Sequence, residues 1–319
     1  MRAIPLLTLL LGGWFVVPAH ADEAQDWLTH LGQAEQQQSF HGTFVYERNG
    51  SFSTHNIWHR VQDGKVRERL LQLDGSAQEV VRIDGHTQCV SGTLIAGLGD
   101  SPNSAARALD PQKLKNWYDL AVIGKSRVAG RAAVIVSLTP RDQHRYGFEL
   151  HLDKETGLPL KSLLLNDKGQ LLERFQFTQL DTTEVPSDSD LQAGSDCKAL
   201  TSNADKATAL KAADEWHSDW LPPGFELSSS SSRKDPETKT QVSSLMFDDG
   251  LARFSVFLEP LNGATVTDTR TQLGPTVAVS RRLTTPQGEM MVTVVGEIPI
   301  GTAERIALSM RNSATTAKQ

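Results

Sequence analysis

His55 and His59 stand four residues apart, a spacing that on a helix stacks two imidazoles on one face and offers a metal ion two ligands. Their surroundings, Ser53-Thr54-His55-Asn56-Ile57-Trp58-His59, read as a strand, where a four-residue step covers about 13 Å. The pair is therefore expected to be half-exposed sheet residues rather than metal ligands. Other catalytic spacings fail in similar ways. Gly97-Leu98-Gly99 starts like a dinucleotide-binding loop but meets Pro102 where a third glycine is needed. Gly124-Lys125-Ser126 resembles the end of a phosphate loop, yet Asp119 stands where the opening glycine belongs. Ser137, Asp142 and His144 make a nucleophile, acid and base only by arbitrary selection, and the chain contains neither His-Glu-x-x-His nor Gly-x-Ser-x-Gly. Nothing selects an enzyme class, and no cofactor is called for.

Residues suited to binding are more informative. Phe44, Tyr46, Trp58 and Phe148 fall on expected strands of a sheet with too little helix to cover it. Core packing is their plain reading; lining an apolar pocket left by an incompletely closed barrel is the functional one. Arg281-Arg282 on a later strand reads either as a solvated edge or as a contact for a carboxylate or phosphate. The chain's two cysteines, Cys89 and Cys197, are expected to pair if the protein is exported.

Export is what the first residues imply. Arg2, the apolar run Leu6–Val17 and Pro18-Ala19-His20-Ala21 have the form of a signal peptide cleaved after Ala21, with no cysteine following for a lipid anchor. A helix is expected from an Asp22 N-cap to Gln38, with Trp27, Leu28, Leu31 and Ala34 at helical spacing. From His41 the period becomes two. Asn49-Gly50, Asp63-Gly64, Asp74-Gly75 and Asp84-Gly85 punctuate short runs as hairpin turns do. The pattern lapses between Ser91 and Tyr118, where loops, a helical turn and a lid are expected. It resumes to give about nine or ten strands up to Thr178, a sheet that must curl or close. The Ser/Thr/Asp/Ala-rich stretch 181–213 reads as a linker. A smaller unit follows, with strands at Gln241–Phe247, Leu251–Leu258, Thr276–Leu283 and Glu289–Gly296 and a helix from Gly301 to about Arg311, before a frayed tail. The expected division is 1–21 leader, 22–180 first domain, 181–213 linker, 214–312 second domain and 313–319 tail. The class is α+β. A 319-residue chain with 39% hydrophobic and 22% charged residues fits two folded domains. A net charge of -6 and 6% aromatics argue against nucleic acid as a partner.

The sequence resembles the MucB/RseB family of periplasmic regulators of the envelope stress response. In the first domain the resemblance rests on Phe40-His41-Gly42-Thr43-Phe44-Val45-Tyr46, on Arg141-Asp142-Gln143-His144-Arg145-Tyr146-Gly147-Phe148 and on the Leu152-Asp153-x-x-Thr156-Gly157-Leu158-Pro159-Leu160 hairpin. In the second it rests on Trp220-Leu221-Pro222-Pro223-Gly224-Phe225, Phe254-Ser255-Val256-Phe257-Leu258-Glu259-Pro260 and Val292-Thr293-Val294-Val295-Gly296-Glu297. It implies a first domain like the LolA/LolB half-open antiparallel barrel with helices, plus a smaller α+β domain. It also implies binding to the periplasmic part of an anti-sigma factor of the MucA/RseA type, protection of that protein from proteolysis, and release by lipid or a lipopolysaccharide fragment. A homodimer is left open. A lipid or lipoprotein carrier of the LolA/LolB type is the alternative function, and the second domain is the feature that argues against it.

Overall fold

The structure, a computed structural model, describes residues 19–75, 78–91, 109–199, 216–234, 240–285 and 288–312. The first helix, α1, runs Ala19–Gln37, so Asp22 lies in its first turn rather than at its cap. Strands β1 (Phe40–Arg48), β2 (Ser51–Gln62), β3 (Lys65–Gln72), β4 (Glu79–Ile83) and β5 (His86–Val90) follow as a meander, then the helical turn α2 (Pro111–Leu114). A second meander comprises β6 (Tyr118–Val128), β7 (Arg131–Pro140), β8 (Gly147–Asp153), β9 (Pro159–Leu165) and β10 (Leu171–Asp181). With β11 (Lys198–Ala199) these form one antiparallel sheet, ordered β11-β5-β4-β3-β2-β1-β10-β9-β8-β7-β6 and left unclosed. Residues 92–108, within the stretch where a lid was expected, lie outside the described residues, as do residues 1–18 of the expected leader and the expected tail 313–319.

One face of this sheet, the inner face, carries two apolar clusters joined by α1. Ala24, Leu28 and Leu31 pack on Tyr118, Leu120, Val136, Leu138, Leu150 and Leu152, while Ala34 packs with Phe40, Phe44, Leu70, Val80 and Phe177. Each fully buried Leu stabilises the fold by about 1.5–3 kcal/mol, so this apolar stripe, not helix propensity, fixes α1. Where β1 crosses β10, Gly42 permits close approach: a Cβ there would lie 2.5 Å from the Gln179 carbonyl oxygen and 2.8 Å from the Phe177 ring. Gly42→Ala should therefore lower stability by about 1–3 kcal/mol. Gly32→Ala, in α1 with nothing within 4 Å of the added carbon, should raise it by about 0.5–1 kcal/mol. Urea midpoints that moved the same way for both would refute this account of the crossing.

The opposite, outer face over β2–β5 is strapped by residues 182–199, which are not a free tether. Arg60 pairs with Asp188 at 2.6 Å and donates to the Pro186 carbonyl; Arg69 donates to the Asp190 carbonyl; the Gly194 amide donates to Glu79. Leu191 of the strap is itself buried, β11 extends the sheet at β5, and Cys89 is disulfide-bonded to Cys197. Of the stretch 181–213 expected as a linker, residues 182–199 are held on the sheet in this way, and residues 200–213 lie outside the described residues.

The second domain holds β12 (Trp216–Ser218), β13 (Glu226–Lys234), β14 (Gln241–Asp248), β15 (Arg253–Pro260), β16 (Thr269–Leu273), β17 (Thr276–Thr285), β18 (Gly288–Gly296), helix α3 (Ile300–Ser309) and β19 (Met310–Asn312). Six strands form a sheet ordered β13-β14-β15-β18-β17-β16, and β12 pairs with β19. The apolar stripe of α3, Ala303, Ile306 and Ala307, seals Val256, Val279, Val292 and Val294. Strand β13 contains the run Ser228–Ser232 and β16 is exposed at every residue, so neither shows an apolar period in the sequence.

Candidate functional site

Two features stand out: the seam between the domains and the aromatic part of the inner face. At the seam, the loop between β7 and β8 delivers Arg145 into a fully buried pair with Asp249, at 2.5 Å, from the turn between β14 and β15. The same guanidinium bonds Asp142 at 2.9 Å and the Pro223 carbonyl at 2.5 Å. It lies over the rings of Trp117, Tyr118 and Phe225 at 5.1–5.7 Å. Asp249 also accepts from the amides of Leu251 and Ala252 and from the Tyr118 hydroxyl. Burial pushes the Asp249 carboxyl above the usual carboxylate range, against the opposing pull of those amides and of Arg145. Around this pair Tyr146 donates to the Ile298 carbonyl, and His144 bonds Thr302 while its ring edge meets Trp220. Gly224, at φ +87°, presses its backbone onto the Trp117 ring: an added Cβ would sit 2.2 Å from that ring. A second contact lies at the β1–β2 hairpin, where Arg48 bonds Glu297 at 3.0 Å and Thr276. Two of the segments quoted above, 141–148 and 220–225, thus meet across the seam, and Glu297 of a third reaches Arg48 at the second contact.

On the inner face, cross-strand partners point the same way, so the register fixes which side chains meet. Phe44 faces His55 on β2 and Phe177 on β10; Tyr46 faces Ser53 and Phe175. Phe44 and Phe175 have centroids 4.6 Å apart, and Phe177 meets both edge-on at 5.9 and 5.0 Å. His55 and His59, expected to be half-exposed, are buried on this face and stack on Phe44 and Phe40. Desolvation holds the His55 imidazole below its ordinary pKa. Tyr46, Ile57 and Phe175 remain partly exposed at the rim of the cluster. Two cavities lie elsewhere: one of about 560 Å³ between the strap and the outer face, lined by Arg67, Val81, Ile83 and Leu191, and one of about 290 Å³ at the seam beside Trp117 and Asp249. Among the described residues no group of three or more His, Cys, Asp or Glu side chains is arranged to hold a metal ion.

The family model of the MucB/RseB N-terminal domain matches residues 23–195, and that of the MucB/RseB C-terminal domain matches residues 210–311. The chain belongs to the MucB/RseB family. This MucB/RseB chain is 60% identical, over the whole of both sequences, to the sigma factor AlgU regulatory protein MucB of Pseudomonas aeruginosa. It superposes on a chain of the solved Pseudomonas aeruginosa MucA/MucB complex with a TM-score of 0.80 and 62% identity, covering 91% of this chain and 99% of that one. A structure of MucB in complex with MucA(peri) gives 0.78 at 61% identity, covering 91% and 98%.

For this member of the MucB/RseB family the sequence-derived site residues fall in different places. Phe44 and Tyr46 lie together on the inner face. Phe148 is on that face too, but in the half covered by α1, where it packs with Leu138 and Leu164 as cross-strand neighbours. Trp58 is a correction. Its partners in register are His41 and Arg69, which puts it on the outer face, and the Arg69 guanidinium lies over its ring at 5.2 Å. A one-residue step along β2 separates the two faces, and sequence type alone does not choose between them. Arg281 pairs with Asp268 and Glu304, and Arg282 with Glu289, so in this structure each charge has a partner within the domain. Asp249, Phe175 and Phe177 were missed. Asp249 stands in an Asp-Asp-Gly turn whose local signal explains it completely, and its partner lies 104 residues away.

Proposed function

We propose that the chain is a periplasmic regulator that binds the periplasmic part of a membrane anti-sigma factor of the MucA/RseA type. By shielding that segment from regulated proteolysis it keeps an envelope-stress sigma factor inactive, and it works by binding, without turnover. The observation that carries this reading is the end-to-end 60% identity to a sigma factor regulatory protein, joined to superposition over 91% of the chain on MucB held with MucA. The leader 1–21 supports export. Residues 22–180 with their strap form the sensing unit of this proposal, and 214–312 the second domain. No helix among the described residues is long and apolar enough to cross a membrane.

Release is assigned to lipid or a lipopolysaccharide fragment entering the inner face at the rim formed by Tyr46, Ile57 and Phe175. Neither cavity described above is lined by the candidate aromatics; an alkyl chain entering here meets the packed rings of Phe44, Phe175 and Phe177. Shifting a two-state equilibrium from 1:99 to 99:1 takes about 5.5 kcal/mol of differential affinity. At about 0.8 kcal/mol per buried methylene, roughly seven methylenes supply it, provided that the form bound to the anti-sigma factor excludes them. The test is a titration of a MucA-type periplasmic peptide with and without saturating palmitate, read beside cleavage of the peptide by a site-1 protease. Tight binding, protection from cleavage and loss of both with palmitate are expected. Tyr46→Ala with Phe175→Ala should weaken the palmitate effect at least tenfold, whereas Trp58→Ala, on the outer face, should leave it within about twofold. Peptide affinity unchanged by palmitate in the unaltered protein would remove the lipid limb of the proposal.

A further inference from the structure

We propose that His55 gives the inner face its selectivity, favouring an amphiphile whose acyl chain carries a hydroxyl over a plain alkyl chain; this rests on the lipid reading above. His55 is 5% exposed, stacked on Phe44 with ring centroids 5.1 Å apart and planes 14° from parallel. Its Nε2 bonds the Ser53 hydroxyl at 2.8 Å, but its buried Nδ1 has no hydrogen-bond partner among the described residues. The other buried histidines of this sheet are different. His59 bonds Glu68 through Nδ1 and the Glu35 carbonyl through Nε2, and His151 bonds Ser126 and Glu149. A buried polar atom without a partner is unfavourable, and here it stands among aromatic rings that otherwise offer an alkyl chain only dispersion contacts.

The neighbours define what the free nitrogen recognises. Across the strands His55 faces Phe44 on β1 and Gln72 on β3, and the carboxylate acting on it is Asp74, just past the end of β3. Burial favours the neutral ring, which suits a neutral hydrogen-bonding group better than an anionic head group. If Ser53 donates to Nε2, then Nδ1 carries the proton and donates; if Nε2 donates to Ser53, then Nδ1 accepts. A hydroxyl on the ligand satisfies either tautomer. The partly exposed rim of Tyr46, Ile57 and Phe175 leads to this point, so the chain would lie on the aromatic track with its hydroxyl at the imidazole.

The experiment uses the mature protein and displacement of a fluorescent fatty acid by palmitate or by hydroxypalmitates with the hydroxyl scanned along the chain. One hydroxylated isomer should compete about tenfold better than palmitate. His55→Phe should erase that preference, mainly by improving palmitate. His55→Asn, which keeps a hydrogen-bonding atom near the position of Nδ1, should retain part of the preference and supplies the answer if the Phe variant does not fold. Equal competition by palmitate and every isomer in the unaltered protein would overturn the role of His55 while leaving lipid binding intact. Failure of all of them to displace the probe would instead overturn the lipid reading on which it stands.

Discussion

Replacing Arg145 with Ala is expected to destabilise the protein by about 3–5 kcal/mol, because it leaves Asp249 buried without its cation. Few single changes on this molecule should cost more. The guanidinium joins loop 142–145 to Pro223 and Asp249 of the other domain and packs among three rings, so its loss unseats both sides of the seam together. Arg141→Ala, four residues earlier, is the matched control. Its pair with Asp119 is exposed on both sides and worth at most about 1 kcal/mol. Arg145→Lys keeps the charge but not the planar fork that reaches Asp142, Pro223 and Asp249 at once, and should fall between. Removing both charges with Arg145→Met and Asp249→Asn should recover part of the lost stability, since it avoids the desolvation of two ions while the amide oxygen still accepts from Leu251 and Ala252. Chemical denaturation gives the energies, and small-angle scattering reads whether the domains spread apart. Equal stability of the Arg145→Ala and Arg141→Ala proteins would show that the seam does not depend on this pair. A partner that touches both domains should also bind the Arg145→Ala protein more weakly.

The contrast between Arg141 and Arg145 shows what could be read from the chain and what could not. Local chemistry was legible. Asn49, Asp63 and Asp84, each before a glycine, adopt the positive φ angles that hairpin turns require, and the strands between them run within a few residues of where alternation put them. The helical spacing of Leu28, Leu31 and Ala34 likewise matches the buried stripe of α1. Strands without an apolar face were silent: β16 is exposed throughout, and β13 carries serine from Ser228 to Ser232, of which Ser231 and Ser232 stand opposite Ser244 and Ser243 of β14. The candidate site was legible only in part, since its defining contacts join residues far apart in sequence. Arg145 stood inside a segment quoted for its resemblance, yet the carbonyl and carboxylate that hold it are 78 and 104 residues away. Trp58 and His55 could be given a strand but not a face, and the unpaired Nδ1 of His55 has no counterpart in sequence pattern at all.

The disulfide should matter nearly as much as the seam. Replacing Cys89 and Cys197 with Ser opens a closure of 108 residues, and in the chain-entropy model that costs about 4–5 kcal/mol. The remaining attachments of the strap are weak substitutes. The pairs of Asp188 with Arg60 and Arg67 end on a carboxylate that is 83% exposed, so solvent screens both. Burial of Leu191 adds about 2 kcal/mol, less than the loop closure that the disulfide provides. For a first domain of this size the loss corresponds to a fall of about 8–20 °C in melting temperature. The change should be confined: hydrogen exchange should quicken in β4, β5 and the strap, while β14, β15 and β18 of the second domain keep their protection. Leu191→Ala in the disulfide-free protein should then release the strap, exposing Trp58 and the outer face to quenchers of tryptophan fluorescence. A double-serine variant melting within 2 °C of the unaltered protein would mean that the strap holds itself down through Arg60, Arg69 and Glu79 alone. In that case the covalent link adds little to a segment that the sheet's own charges already organise.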